Sequence, residues 1–168
     1  VALVFEAMRA KVPAGRPVRS LAVTFVGPLT LDAPVSFEAE VLREGKAVSQ
    51  VLGRAVQNGQ VVTLVQGSFG ASRASAIDVP ALPAPAMKPV AECQERPYIQ
   101  NVSPAFTRYL AMRSGEGGMP FSNNQSRHMG GWVRLRDHDP VDALEEAHLL
   151  ALVDAWPPAV LPHLSAPA

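Results

Sequence analysis

The sequence predicts an α+β protein in which an antiparallel sheet is paired with helices. Three observations predict it. Val35-Ser36-Phe37-Glu38-Ala39-Glu40-Val41 alternates apolar and polar side chains, the period of a half-buried strand. Two turn signals, Glu44-Gly45 and Asn58-Gly59, separate strand-like runs with almost no chain to spare, so consecutive strands must run back on one another. Stripes at helical spacing mark both ends: Leu3, Val4, Ala7 and Met8 near the start, and Leu144, Ala147, His148, Ala151, Leu152 and Ala155 near the finish.

In order, residues 1–11 read as a helix stopped by Pro13-Ala14-Gly15. Residues 20–26 are a strand candidate ending at Gly27-Pro28, because proline cannot donate to a central ladder. After the strand at 35–41, Gly45 turns the chain, since glycine tolerates positive φ. Residues 46–56 run back, Asn58-Gly59 turns again, and residues 60–69 run out through the β-branched Val61-Val62-Thr63-Leu64-Val65. This meander should curl round the first helix and bury Val23, Phe25, Phe37, Val41 and Val65, at roughly 1.5–3 kcal/mol each. Residues 76–89 hold proline too often for a helix or an inner strand, and read as an extended linker. A ligand for a proline-recognition module is the alternative. Residues 106–113 read as a strand, 114–120 as a loop and 130–137 as a strand alternating Trp/Val and Leu with Arg. The clearest helix spans 142–155, capped by Asp139 or Asp142, with Glu145-Glu146 in the dipole-favoured first turn. Trp156-Pro157-Pro158 interrupts it, and residues 158–161 resume as a new turn.

Composition narrows the function. Hydrophobic residues make up 48% and charged ones 18%, which fits a folded globular chain. Fifteen basic and fifteen acidic residues cancel, so the basic excess of a nucleic-acid surface is missing. No apolar run reaches the roughly 18–20 residues of a spanning helix, and no basic n-region marks a signal peptide. The expectation is a protein without membrane or nucleic-acid partners. The single cysteine, Cys93, excludes an intrachain disulfide and is compatible with a reducing cytoplasm.

The run from Val35 to Lys46, then Val56-Gln57-Asn58-Gly59, then Gly67-Ser68-Phe69, resembles the acyl-CoA thioesterase II family, and Gly130-Gly131-Trp132-Val133-Arg134-Leu135 resembles the second repeat of its thioesterase-like relatives. The resemblance implies a double hotdog: two copies of a long helix wrapped by an antiparallel sheet. Residues 1–75 would be the first repeat without its front. Residues 76–92 would be a Pro-rich linker, and 93–168 the second repeat without its back. In the first part the helix precedes the strands; in the second the strands precede the helix. The expectation is therefore the interior portion of a longer protein, with a single domain in permuted order as the alternative.

The resemblance also implies acyl-CoA as substrate, no cofactor, and self-association through sheet edges. It places a catalytic Asp on the second-repeat helix, where this chain has Asp154. The residues agree, since a carboxylate in Leu149-Leu150-Ala151-Leu152-Val153-Asp154-Ala155-Trp156 opposes the helix dipole and has to be solvated, hydrogen-bonded or functional. It could orient and deprotonate the attacking water. It could equally serve the backbone freed by Pro157 and Pro158. The family's hydroxyl and glutamine partners lie on later strands with no counterpart here. Gln57 and Asn58 suit a polar turn, and Ser68 an ordinary strand position. No Gly-x-Ser-x-Gly elbow supports a serine hydrolase, and Ser114-Gly115-Glu116-Gly117-Gly118 lacks a P-loop lysine. His128, His138, His148 and His163 show no zinc-ligand spacing. His128 with Arg127 and Arg134 could meet a coenzyme A phosphate. A non-catalytic acyl-CoA binder and a hotdog hydratase are the competing classes; the hydratase lacks its His-x-x-x-Gly signal.

Overall fold

A computed structural model describes residues 1–137 and 144–166. It divides into two compact units: one of Val1–Val79 with Glu145–Ala151, the other of Pro80–Leu144 with Leu152–Ala168. Among the described residues no helix is long and apolar enough to cross a membrane.

The first unit opens with helix α1 (Ala2–Arg9), followed by strands β1 (Val18–Phe25), β2 (Val35–Glu44), β3 (Val48–Gln57) and β4 (Gln60–Gly70). They pair antiparallel in the order β1-β4-β3-β2. Asn58 and Gly59 both take positive φ, 51° and 75°, which is what a two-residue hairpin needs to follow the twist of its strands. The turn at Gly45 works differently. Gly45 is not among the positive-φ residues; an added Cβ would come within 3.3 Å of the Val48 carbonyl oxygen, a tight approach that the turn would have to relieve. Arg16 holds this corner, donating to the buried Ser49 Oγ (2.6 Å) and to the Gly45 and Lys46 carbonyls.

Helix α1 lies on the middle of the sheet. Val4, Phe5 and Met8 are essentially fully buried, with Val51, Val65 and Phe69 beneath them. Among the described residues the expected long helices are not found: α1 has 8 residues and α2 (Glu146–Leu152) has 7. After α1 the Arg9 guanidinium donates to the Pro13 and Arg16 carbonyls and folds the chain back. An 8-residue helix is only about 12 Å long and cannot roof four strands. This corrects the expected burial. Register puts Phe37 beside Ala55, Ala55 beside Thr63 and Thr63 beside Phe25, one row on the helix side. Its inner members are buried, yet Phe25 is 68% and Phe37 40% exposed. Val23 and Val41, on the same face, are exposed too; of the five residues expected inside, Val65 alone is buried. The remaining part of this unit is α2 from Glu146 to Ala151, where Ala147 and Leu150 pack against the core and Glu146 Oε1 accepts from the Val18 N–H at 2.8 Å.

In the second unit strands β5 (Gln94–Arg96), β6 (Leu110–Glu116) and β7 (Gly130–Leu135) pair antiparallel in that order. The strand expected from residue 106 begins only at Leu110. Ala105–Tyr109 is a 3₁₀ turn instead, because Pro104 starts it and Thr107 bonds back to the Pro104 carbonyl through both N–H and Oγ1. Leu110, Met112, Leu152 and Ala155 form this unit's core, with Val133, Leu135 and Trp156 against it. The proline-rich chain is tied down near its end: Trp132 Nε1 donates to the Lys88 carbonyl (2.9 Å), and Met87 fills the space over Gly115. The helix expected over 142–155 is described from residue 144 and runs from Glu146; its proposed caps Asp139 and Asp142, like His138, lie outside the described residues. The resumed turn past Pro158 is a 3₁₀ turn at Leu161–His163.

Candidate functional site

Asp154 stands in the turn that follows α2. Leu152 and Ala155 point into the second core on either side of it, which turns Val153 and Asp154 outward. Asp154 is exposed, so water reaches the carboxylate directly. The helix ends because Ala155 closes a tight turn onto the Leu152 carbonyl and the chain then enters Trp156-Pro157-Pro158, where proline disfavours helix in the residue before it.

The other sequence candidates separate. Gln57 is buried and its amide is filled: Nε2 donates to the Thr30 and Ala33 carbonyls (2.9 and 2.8 Å), and Oε1 accepts from the Thr30 N–H (2.9 Å). It clamps the β1–β2 connection. Asn58 is a turn residue at φ 51°. Ser68 donates to Gln50 Oε1 at 2.8 Å, across the β3–β4 ladder. Cys93 is buried, its thiol against the Lys88 and Pro89 carbonyls. His148 lies half-buried on α2, and His163 in the last 3₁₀ turn. Among the described residues no three His, Cys, Asp or Glu side chains group as metal ligands would.

Arg127 and His128 do come together. They line an open cavity of about 580 Å³ with Glu116, Met87 and Met129. Arg134 is absent from its lining and donates to the Leu135 and Arg136 carbonyls. Asp154 is not part of that cavity either. The geometry therefore gives an exposed acid after α2 and, elsewhere in the same unit, a concavity with cationic and thioether walls.

No sequence signal marked Arg96 and Trp156. The Arg96 guanidinium stacks over the Trp156 ring, 5.4 Å from its centroid. Burial holds its pKa below the usual arginine range, because desolvation penalises the charged form. Nothing local predicts this pair, since the residues are far apart in sequence and meet only through the second core.

Two family models match successive stretches of the chain. The family model of the acyl-CoA thioesterase N-terminal domain matches residues 1–70, and that of the acyl-CoA thioesterase C-terminal domain matches residues 78–168. The chain belongs to the acyl-CoA thioesterase family. A conserved protein of unknown function with hot dog fold from Alicyclobacillus acidocaldarius is 25% identical, with a TM-score of 0.76 over 99% of this chain and 60% of that one. The acyl-CoA thioesterase II TesB2 of Mycobacterium marinum is 21% identical, with a TM-score of 0.64 over 90% of this chain and 54% of that one. The tesB protein of Mycobacterium avium subs paratuberculosis is 22% identical, with a TM-score of 0.53 over 89% of this chain and 52% of that one. No curated protein matches. This thioesterase-family chain thus has a hotdog-type fold and spans between about half and 60% of the length of these neighbours.

Proposed function

We propose that this chain acts in the hydrolysis of acyl-CoA thioesters to free acid and coenzyme A. The observation that carries the reading is the match of the N- and C-terminal thioesterase domain models, one after the other, along the chain. In this reading its architecture is a double hotdog, with repeats at 1–75 and 93–168 joined by the segment 76–92. Asp154 orients a water whose oxygen attacks the thioester carbonyl carbon, and its carboxylate takes the water's proton. The tetrahedral intermediate collapses with cleavage of the C–S bond, and the departing thiolate takes up a proton to give the thiol. A thioester is already a reactive acyl donor, so an aimed water and oxyanion donors supply most of what is needed. No cofactor enters this scheme. Arg127 and His128 line the 580 Å³ cavity, and in this reading they would meet a phosphate of coenzyme A.

The test is thiol release from a panel of acyl-CoAs. Turnover by the parent protein, with kcat lowered about 10²–10⁴-fold in Asp154→Asn, is the expected result. A parent inactive at every chain length overturns the hydrolase; an unchanged kcat in the variant removes Asp154 from the chemistry. The exposure of Asp154 favours a second reading, an acyl-CoA-binding protein without turnover, because a base in bulk water gains nothing from a low-dielectric site. Saturable binding without thiol release selects it.

Self-association through sheet edges belongs to the same proposal. Strand β2 is an edge of its sheet, and apolar Phe25 and Phe37 lie exposed on the helix side. Light scattering should give more than the monomer mass; a monomer at micromolar concentration would count against it.

A further inference from the structure

The open cavity of about 580 Å³ has its whole lining in the second unit. Its size is that of a small-molecule site, about 300–1,000 Å³. Part of the lining is the end of the proline-rich segment, Pro85 to Met87. That part is preformed. Trp132 Nε1 and the Cys93 thiol both donate to the Lys88 carbonyl, and the Met87 side chain lies down over Gly115 and Gly130, where no Cβ stands in its way. Another part is Arg127, His128 and Met129. Gly117 lets this stretch approach the end of β6: it takes φ 78°, and an added Cβ would strike the His128 carbonyl. Glu116, the last residue of β6, is the one acid in the lining. Among the described residues the side chains of Glu116, Arg127 and His128 make no hydrogen bond or ion pair, and all three are exposed, so a ligand can reach them.

Three features of this lining select a ligand together. A guanidinium beside an imidazole suits phosphate oxygens, and the planar fork of arginine can hold two of them. Thioether and proline faces suit a flat apolar ring, since methionine sulfur makes favourable contacts with aromatic rings. An ionised Glu116 only accepts hydrogen bonds, so it suits the amine and hydroxyl donors of a nucleoside. A fatty acid would use the cation but leave Glu116 against a chain with nothing to donate. We propose that this cavity is a site for a phosphorylated adenosine, its phosphate on Arg127 and His128 and its purine against Met87 and Met129. The chemistry is shared by a free adenine nucleotide and by the adenosine end of coenzyme A, and only the second source rests on the hydrolase reading. Because Met87 is already held in place, little of the binding free energy is lost in ordering that side of the site.

The full chain is titrated by calorimetry at constant ionic strength with ADP, adenosine 3′,5′-bisphosphate, coenzyme A, adenosine, inorganic phosphate and octanoate. A phosphorylated adenosine should saturate, and bind more tightly than adenosine or phosphate alone. Saturation by ADP identifies a site open to free nucleotides; saturation by the bisphosphate and coenzyme A but not by ADP identifies the coenzyme A end. Arg127→Gln should weaken that binding about tenfold or more, as for the loss of a hydrogen bond to a charged group. Arg127 is exposed, so the variant keeps the fold, which circular dichroism checks. No saturation by either nucleotide, octanoate binding in their place, or an Arg127→Gln affinity equal to the parent's overturns the proposal. Thiol release is assayed separately. A chain that binds nucleotide but hydrolyses no acyl-CoA loses the hydrolase reading and keeps this site; one that turns over acyl-CoA and binds neither nucleotide loses this site alone.

Discussion

Gln57 shows how far a single side chain departs from what its neighbours in sequence suggest. Beside Asn58-Gly59 it reads as part of a polar turn, and its backbone does close the β3–β4 hairpin. Its side chain points inward and binds the β1–β2 connection through Thr30 and Ala33. Gln57→Ala should therefore cost about 1–3 kcal/mol, read from urea melts, since it strands buried partners. Gln57→Glu tests the direction of the bonds. An ionised carboxylate cannot donate to two carbonyls, so burial and those oxygens raise the new group's folded-state pKa above its unfolded value of about 4.3. Stability of that variant is then highest below the unfolded pKa and is lost as pH rises through the folded one. A flat pH profile relative to the parent would contradict the assignment.

At the scale of elements, α1 sits where two glycines let it. A Cβ at Gly53 would lie 2.6 Å from Met8 Cγ and Sδ and from Val4 Cγ1; one at Gly67 would lie 2.7 Å from Met8 Cε. Met8 can give way, but the branched Val4 cannot. Gly53→Ala should destabilise by about 1–3 kcal/mol and Gly53→Val by more, measured as a fall in the urea midpoint at unchanged slope. Equal stability of Gly53→Ala and parent would show that the helix does not rest on this point. The Asn58-Gly59 hairpin was legible in the sequence because its information is local: two residues that accept positive φ suffice. The alternation in β2 also gave the correct face for Phe37 and Val41, opposite Ala55 and Val51. The exposure of Phe25 and Phe37 was not legible, because which face a residue takes is local while the reach of the roof above it is not. Residues 106–109 read as strand from aromatic propensity, and the Pro104–Thr107 bonds overrode it.

At the scale of the molecule, the first unit is not one continuous stretch. Glu146, Ala147 and Leu150 belong to it although well over sixty residues lie between them and Val79. Glu146→Ala should speed hydrogen exchange at the Val18 amide about 10-fold or more, as expected for losing a hydrogen bond to a charged acceptor. Glu146→Gln, which keeps an oxygen acceptor, should lie between. Unchanged exchange at Val18 in both variants would mean that this tie does not protect the strand.

The sequence alone determined the meander, its second turn, the two helices and the family, since each rests on short-range patterns in period, turn chemistry and motif spacing. It also singled out Asp154, whose catalytic role rests on the proposal above. Only the tertiary structure decided how short the helices are, which apolar residues of the sheet stay uncovered, that Gln57 is a buried clamp, and that Arg96 meets Trp156. These depend on which distant surfaces come together, and burial and hydrogen-bond satisfaction are properties of the assembled core that no local window contains.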